Sequence, residues 1–234
     1  MLTLSKKARV AGLLYVLASA VGIVRLLYVP KVLIVHGNAT ATAGNILAHE
    51  MLFRLGIVCY LLGGVLWLFV PLALYRLLKD VDQALAVMMV ILGSLMQTPV
   101  FVINTMNDAA ALLLFRGADF LSVIDKTQRD ALGMLFLNLH HQLDMANEIF
   151  WGIWLIPFGL LVYKSRFLPR FLGIWLTLGC FGWVALSLTG FLIPDYVDQV
   201  YRFVQLLTLG EVVTMLWLVI LGAREKPLVA SGAS

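Results

Sequence analysis

Charge is what this 234-residue sequence has least of: Asp, Glu, Lys and Arg together make up 13% of it, against 62% hydrophobic residues. A soluble domain carries about 25% charged residues. A chain of this size in water also needs a polar coat. The shortage excludes a soluble globular protein, and a mean hydropathy of +0.95 excludes a disordered one. Cysteine is almost missing. The two present, Cys59 and Cys180, lie inside apolar runs, where thiols behave as small hydrophobes and build no disulfide scaffold. The alternation of β-barrel strands is absent, and so are His-Glu-x-x-His and a serine nucleophile elbow.

What is there is apolar length. A bilayer core about 30 Å thick takes about 20 apolar residues as helix. Six segments qualify, at about 8–29, 51–78, 84–115, 143–163, 168–193 and 200–222. The expected fold is an all-α, polytopic transmembrane bundle of six spans forming a single domain over 1–234. The first run follows Lys6, Lys7 and Arg9, but it is too long for a signal peptide and lacks a small-residue cleavage site, so it reads as a retained helix.

The formal charge of +4 reflects where the cations sit, not a nucleic-acid partner. Lys6, Lys7, Arg9, Arg76, Lys79, Lys164, Arg166, Arg170, Arg224 and Lys226 fall on one side of the six spans. Lys31, Arg116, Lys126, Arg129 and Arg202 fall on the other. The split of ten against five puts both termini in the cytoplasm by the positive-inside rule, as an even number of spans requires. Two longer loops then face outward. In the first, Asn38 is placed to cap a short helix. In the second, an amphipathic stretch from about Thr127, with Leu132, Leu135, Phe136 and Leu139 at helical spacing, either lies on the interface or runs on as one long helix into the fourth span.

The informative residues are the polar ones the apolar runs cannot exclude, because a mid-membrane charge costs a few kcal/mol and turns inward or toward a wet cavity. His140, Asp144 and Glu148 fall at i, i+4 and i+8, on one helix face. Imidazole and carboxylate together suit a divalent metal or a proton relay. The plain alternative is a helix start in which acids complement the dipole. Asn104, Asn107 and Asp108 sit in the outer part of the third span, after a kink expected at Gln97-Thr98-Pro99. Arg25 and Arg54 are placed to pair with these acids, and Glu211 lies in the middle of the sixth span. The outer half thus reads as a polar cup above an apolar inner half.

Four stretches carry a resemblance. They are Ala8-Arg9-Val10-Ala11-Gly12-Leu13-Leu14-Tyr15, Ala41-Thr42-Ala43-Gly44-Asn45-Ile46-Leu47, Leu52-Phe53-Arg54-Leu55-Gly56-Ile57, and Leu135-Phe136-Leu137-Asn138-Leu139-His140 with Ser165-Arg166-Phe167-Leu168-Pro169-Arg170-Phe171-Leu172-Gly173. Together they are similar to a family of small six-helix bacterial membrane proteins known only as a domain of unknown function. The resemblance implies a prokaryotic plasma-membrane protein and draws attention to Asn45, Arg54, Asn138 and His140. It carries over no catalytic residue.

Three functions fit these residues. One is a pocket binding a small molecule, a lipid or a metal, with Arg54, Asn104, Asp108, Asn138, His140, Asp144, Glu148 and Glu211 as its lining. The second is a metal-assisted membrane-embedded hydrolase or lipid-modifying enzyme, with a divalent metal on His140, Asp144 and Glu148. The third is a proton-coupled small-molecule transporter using Glu211, for which a homodimer is the expected partner.

Overall fold

The computed structural model describes residues 3–224, so Lys226 lies outside the described residues. Among the described residues seven helices make up the bundle, six of them long and apolar enough to cross a membrane. They are α1 (Leu4–Leu33), α2 (Ala39–Ala48), α3 (Glu50–Leu78), α4 (Gln83–Arg116), α5 (Lys126–Ser165), α6 (Arg170–Leu192) and α7 (Pro194–Ile220). Among the described residues there is no strand. The short helix α2 is the one that Asn38 begins, its side-chain oxygen accepting from the Ala41 N–H at 2.9 Å. The amphipathic stretch runs unbroken into the fourth span, and α5 bends only at Trp154, ahead of Pro157. Cys59 and Cys180 are both free thiols.

The chain enters and leaves at one end of the bundle. There the turn after α7 folds back on the start of α1, a Cβ added at Gly222 lying 2.6 Å from Ser5 Oγ. The Arg224 N–H donates to the Phe167 carbonyl at 3.0 Å. We call this the terminal end. Helices approach closely where glycine removes the side chain: a Cβ added at Gly12 would meet Leu218 and Val219 of α7 within 2.9 Å. Small residues permit such contacts between helices that have no water to drive them together.

Two spans carry wide, π-helical turns, at Val24–Tyr28 in α1 and Ile91–Leu95 in α4. Such turns free backbone carbonyls and re-aim side chains. In α4 the freed groups are taken up by neighbours. The Trp67 indole donates to the Gly93 carbonyl at 2.7 Å, and Gln97 donates to the carbonyls of Leu92 and Phe150, both at 3.2 Å. The turn in α1 swings Arg25 inward to 3% exposure.

Two apolar cores result. The larger occupies the terminal half around Ala11, Tyr15, Leu74, Met89, Trp154, Phe158 and Leu172. Tyr15, Trp67, Trp154 and Phe158 form an aromatic cluster in it, with Tyr15 to Trp67 at 5.4 Å and Trp154 stacked on Phe158 at 5.3 Å. The smaller lies toward the far end around Val29, Leu33, Ile46, Phe53, Ala111, Phe115 and Leu137. Each helix that contributes to both places a buried polar side chain between them: Arg25 on α1, Tyr60 on α3, Asn104 and Asp108 on α4, His140 and Asp144 on α5.

Candidate functional site

Between the cores Arg25 and Asp108 meet in a two-pronged pair. Arg25 Nε donates to Oδ2 at 2.6 Å and Nη2 to Oδ1 at 2.5 Å. This fork matches a carboxylate better than any other side-chain pairing does. His140 adjoins it, with Nδ1 at 3.0 Å from Asp108 Oδ1 and 3.3 Å from Arg25 Nη2. The guanidinium can only donate and the carboxylate only accept. The shorter contact therefore sets Nδ1 as the protonated nitrogen, donating to Asp108. On the other edge of the ring, Nε2 lies 3.3 Å from Asp144 Oδ2, within ion-pair reach but outside hydrogen-bond geometry.

Asp144 is held in turn from its other oxygen. Oδ1 accepts from the Tyr60 hydroxyl at 2.6 Å and from Asn104 Nδ2 at 2.8 Å. Asn104 also reaches the His140 carbonyl at 3.2 Å, and Asn107 supports it through a 3.2 Å bond to Oδ1. The Tyr60 ring lies 4.9 Å from that of His140. Four helices thus converge: Arg25 from α1, Tyr60 from α3, Asn104 and Asp108 from α4, His140 and Asp144 from α5. Asn104 and Asp108 have no exposure, Arg25 and His140 have 3% and Asp144 has 7%. The expected cup is a closed layer, with apolar packing on both sides.

Charge counting shows what this layer can do. Arg25 and Asp108 cancel. His140 and Asp144 also cancel, either as imidazolium with carboxylate or as imidazole with carboxylic acid. One proton belongs to the second pair, and it can sit on Nε2 or on Oδ2 without giving the layer a net charge. Adding or removing a proton leaves an unpaired buried charge, which the interior opposes.

Of the other residues the sequence singles out, Glu148 is half-buried one turn below Asp144 on α5. The α5–α6 register places it. Gly190 packs on Met145, and Gly152 packs on Cys180, Trp183 and Val184, so the antiparallel pairing sets Ser187 opposite Glu148. The Ser187 hydroxyl and the Asn147 side-chain oxygen are both buried without a protein partner. Glu211 lies deeper and is bonded to the Tyr15 hydroxyl. The Trp183 indole approaches it from another side without reaching hydrogen-bond geometry.

Two residues stand apart from the layer. Arg54 is exposed on α3 and bonded to Glu50 one turn earlier at 2.7 Å, and Asn138 is exposed on α5. Among the described residues no three His, Cys, Asp or Glu side chains are grouped to hold a metal ion. Arg25 already supplies the positive charge beside Asp108 and His140. Tyr60 and Tyr15 escape a reading of the sequence, since a tyrosine in an apolar run carries no mark of which carboxylate its hydroxyl meets.

The chain belongs to the family described as Domain of unknown function (DUF4386), which matches residues 10–222. No curated protein matches it, and no solved structure does. The family assigns no reaction, so the function has to be argued from the buried layer itself.

Proposed function

We propose that the chain is a proton-coupled membrane carrier whose working site is the layer of Arg25, Asp108, His140 and Asp144. The observation that carries this reading is the contact from His140 Nε2 to Asp144 Oδ2 at 3.3 Å. It is the one link of the layer whose proton has two places to go at no cost in net charge. Arg25 and Asp108 form the fixed half, and the histidine ring edge facing Asp144 is the mobile half. A histidine beside a carboxylate is suited to take and release protons near neutral pH.

Apolar cores on both sides support a carrier rather than a pore, since a carrier site is closed toward both faces as it passes between them. The wide turn in α1 carries Arg25 into the layer, while the wide turn in α4 and the bend in α5 lie together more than two helical turns below it, Gly93 packing on Trp154. Broken helices of this kind gather where a membrane protein binds and moves its cargo. Below the layer, Glu148 and Glu211 are further proton acceptors. Counting residues to the terminal ends of their helices at 1.5 Å each puts them about 26 Å and about 14 Å from that end. Buried unpartnered oxygens of Asn147 and Ser187 lie at the level of Glu148 and offer bonds to water or a small polar cargo. The aromatic cluster of Tyr15, Trp67, Trp154 and Phe158 closes the path at the level of Glu211, whose carboxyl accepts from the Tyr15 hydroxyl. A small ligand binding in the layer itself would have to displace Arg25 from Asp108. We place the terminal end in the cytoplasm, from the ten-to-five division of basic residues, and the chain in a prokaryotic plasma membrane.

An infrared titration of the full chain in lipid vesicles, run beside Asp144→Asn and His140→Gln, tests the reading. The expected result is a protonated-carboxyl band that the wild type keeps across the titration, that is lost in Asp144→Asn and that shifts in His140→Gln. A carboxyl signal that neither substitution alters overturns it.

A further inference from the structure

A groove of about 190 Å³ runs along the outside of the bundle between α1 and α3 at the terminal end. Its walls are Val10 and Leu14 on one side and Phe69, Leu72 and Ala73 on the other, and Lys7 and Arg76 stand at its mouth. The antiparallel register of the two helices, in which Gly63 packs against Gly22 and Ala18, brings Lys7 level with Arg76. Val10 and Phe69 are 47% and 48% exposed, so the groove opens toward lipid tails and not toward the bundle. Among the described residues neither cation makes an ion pair, whereas Lys164 at the same end is bonded to Asp82 at 3.0 Å.

We infer that this groove holds one anionic diacyl phospholipid, its phosphate between Lys7 and Arg76 and one acyl chain along the apolar walls. The chemistry is complementary at both ends. Two unneutralised cations recognise a phosphate of net negative charge, and the walls recognise a hydrocarbon chain. A zwitterionic lipid brings its own ammonium group to the same place and is disfavoured by it. The lysine acts as a point charge, while the arginine fork fixes the phosphate oxygens. This site is separate from the proton layer and does not depend on it.

The full chain in neutral detergent, mixed with dioleoyl phosphatidylglycerol or dioleoyl phosphatidylcholine and weighed intact by native mass spectrometry, tests the inference. The expected result is one retained phosphatidylglycerol with about tenfold preference over phosphatidylcholine, a difference of about 1.4 kcal/mol. Lys7→Gln with Arg76→Gln should abolish that preference, and Lys7→Arg with Arg76→Lys should keep it. Lys6→Gln with Lys79→Gln removes the same charge outside the groove and should change nothing. Ala73→Phe fills the groove with both cations in place and should reduce retention severalfold, which tests the site even where the glutamine pair does not fold. Equal retention of the two lipids by the wild type overturns the inference. So does a preference lost equally in the Lys6 and Lys79 variant, or binding of inorganic phosphate with no preference between the lipids.

Discussion

Arg25 and Asp108 stand 83 residues apart in sequence and share two hydrogen bonds of 2.6 and 2.5 Å in the interior of the bundle. The pair ties the wide turn of α1 to the outer part of α4. It also supplies the fixed charges against which the His140 proton is balanced. Removing one partner leaves the other as a lone buried charge, which costs about 3–5 kcal/mol, whereas replacing both with apolar groups of similar size is far less costly. Arg25→Met and Asp108→Leu should each lower the melting temperature in detergent, and the double variant should recover most of the loss. Additive losses in the double variant would show that the two residues do not act as a pair.

Close helix packing gives a second expectation. A Cβ at Gly173 of α6 would lie 2.5 Å from the Gly159 carbonyl oxygen and 2.7 Å from the Tyr163 nitrogen. Both are backbone atoms of α5 and cannot rotate away. Gly173→Ala should destabilise by about 1–3 kcal/mol through overpacking. Gly44→Ala on α2, where a Cβ meets nothing within 4 Å, should be neutral or slightly stabilising. Paired thermal melts compare them, and equal midpoints would contradict the close contact.

The spans were legible because a 20-residue apolar run has few alternatives in a membrane. Asn38 as a helix cap was legible, and so was a break in α4 ahead of Pro99, where the wide turn of Ile91–Leu95 ends and the helix restarts at Thr98, because each rests on local chemistry. The polar face of α5 was legible from the four-residue spacing of His140 and Asp144. The grouping across helices was not. Arg25 and Arg54 look alike in sequence, yet a wide turn buries Arg25 and Glu50 keeps Arg54 at the surface. Nothing local in the sequence announces that turn. Tyr60 is hidden for a related reason, since its role depends on the packing of α3 against α4 and α5. The cup became a closed layer because Phe53, Phe115 and Leu137, unremarkable apolar residues in the chain, pack over its far side.

Outside the spans, Asp82 caps α4 by accepting from the Leu85 N–H at 3.1 Å, and it also accepts from Lys164 Nζ at 3.0 Å. The backbone bond from Leu85 first, and Lys164 second, hold its carboxyl below the ordinary carboxylate range. A carboxyl lowered in the folded state stabilises fully above its unfolded value, and that contribution fades as pH falls through the folded value. The acid limb of the stability curve, below the usual carboxylate range, should therefore be shallower in Asp82→Asn. Lys164→Met should flatten it less, because the larger cause remains. Melting midpoints collected down that limb give the comparison, and identical slopes in all three proteins would refute the assignment.

Orientation can be read by labelling. Val123 lies in the far-end loop at 89% exposure, and Lys79 is exposed in a loop at the terminal end. With Cys59 and Cys180 replaced by alanine, Val123→Cys should react with a membrane-impermeant maleimide on intact cells. Lys79→Cys should react only after the membrane is opened. The reverse pattern would put the ten basic residues outside and reject the cytoplasmic placement.

Glu211 separates a structural acid from a working one. Its only hydrogen-bonded side-chain partner among the described residues is the Tyr15 hydroxyl, and α6 brings the Trp183 indole near it, with no ion pair to it among the described residues. A carboxylic acid in that setting is cheapest when neutral, and glutamine keeps both its volume and its ability to accept from Tyr15. Glu211→Gln should thus fold with a melting temperature within a few degrees of wild type, yet lose the pH dependence of uptake in vesicles energised by a proton gradient. Tyr15→Phe should keep that pH dependence, because the carboxyl itself is still present. If Glu211→Gln transports with the wild-type pH profile, the proton route ends at Glu148 and the deeper acid serves packing alone.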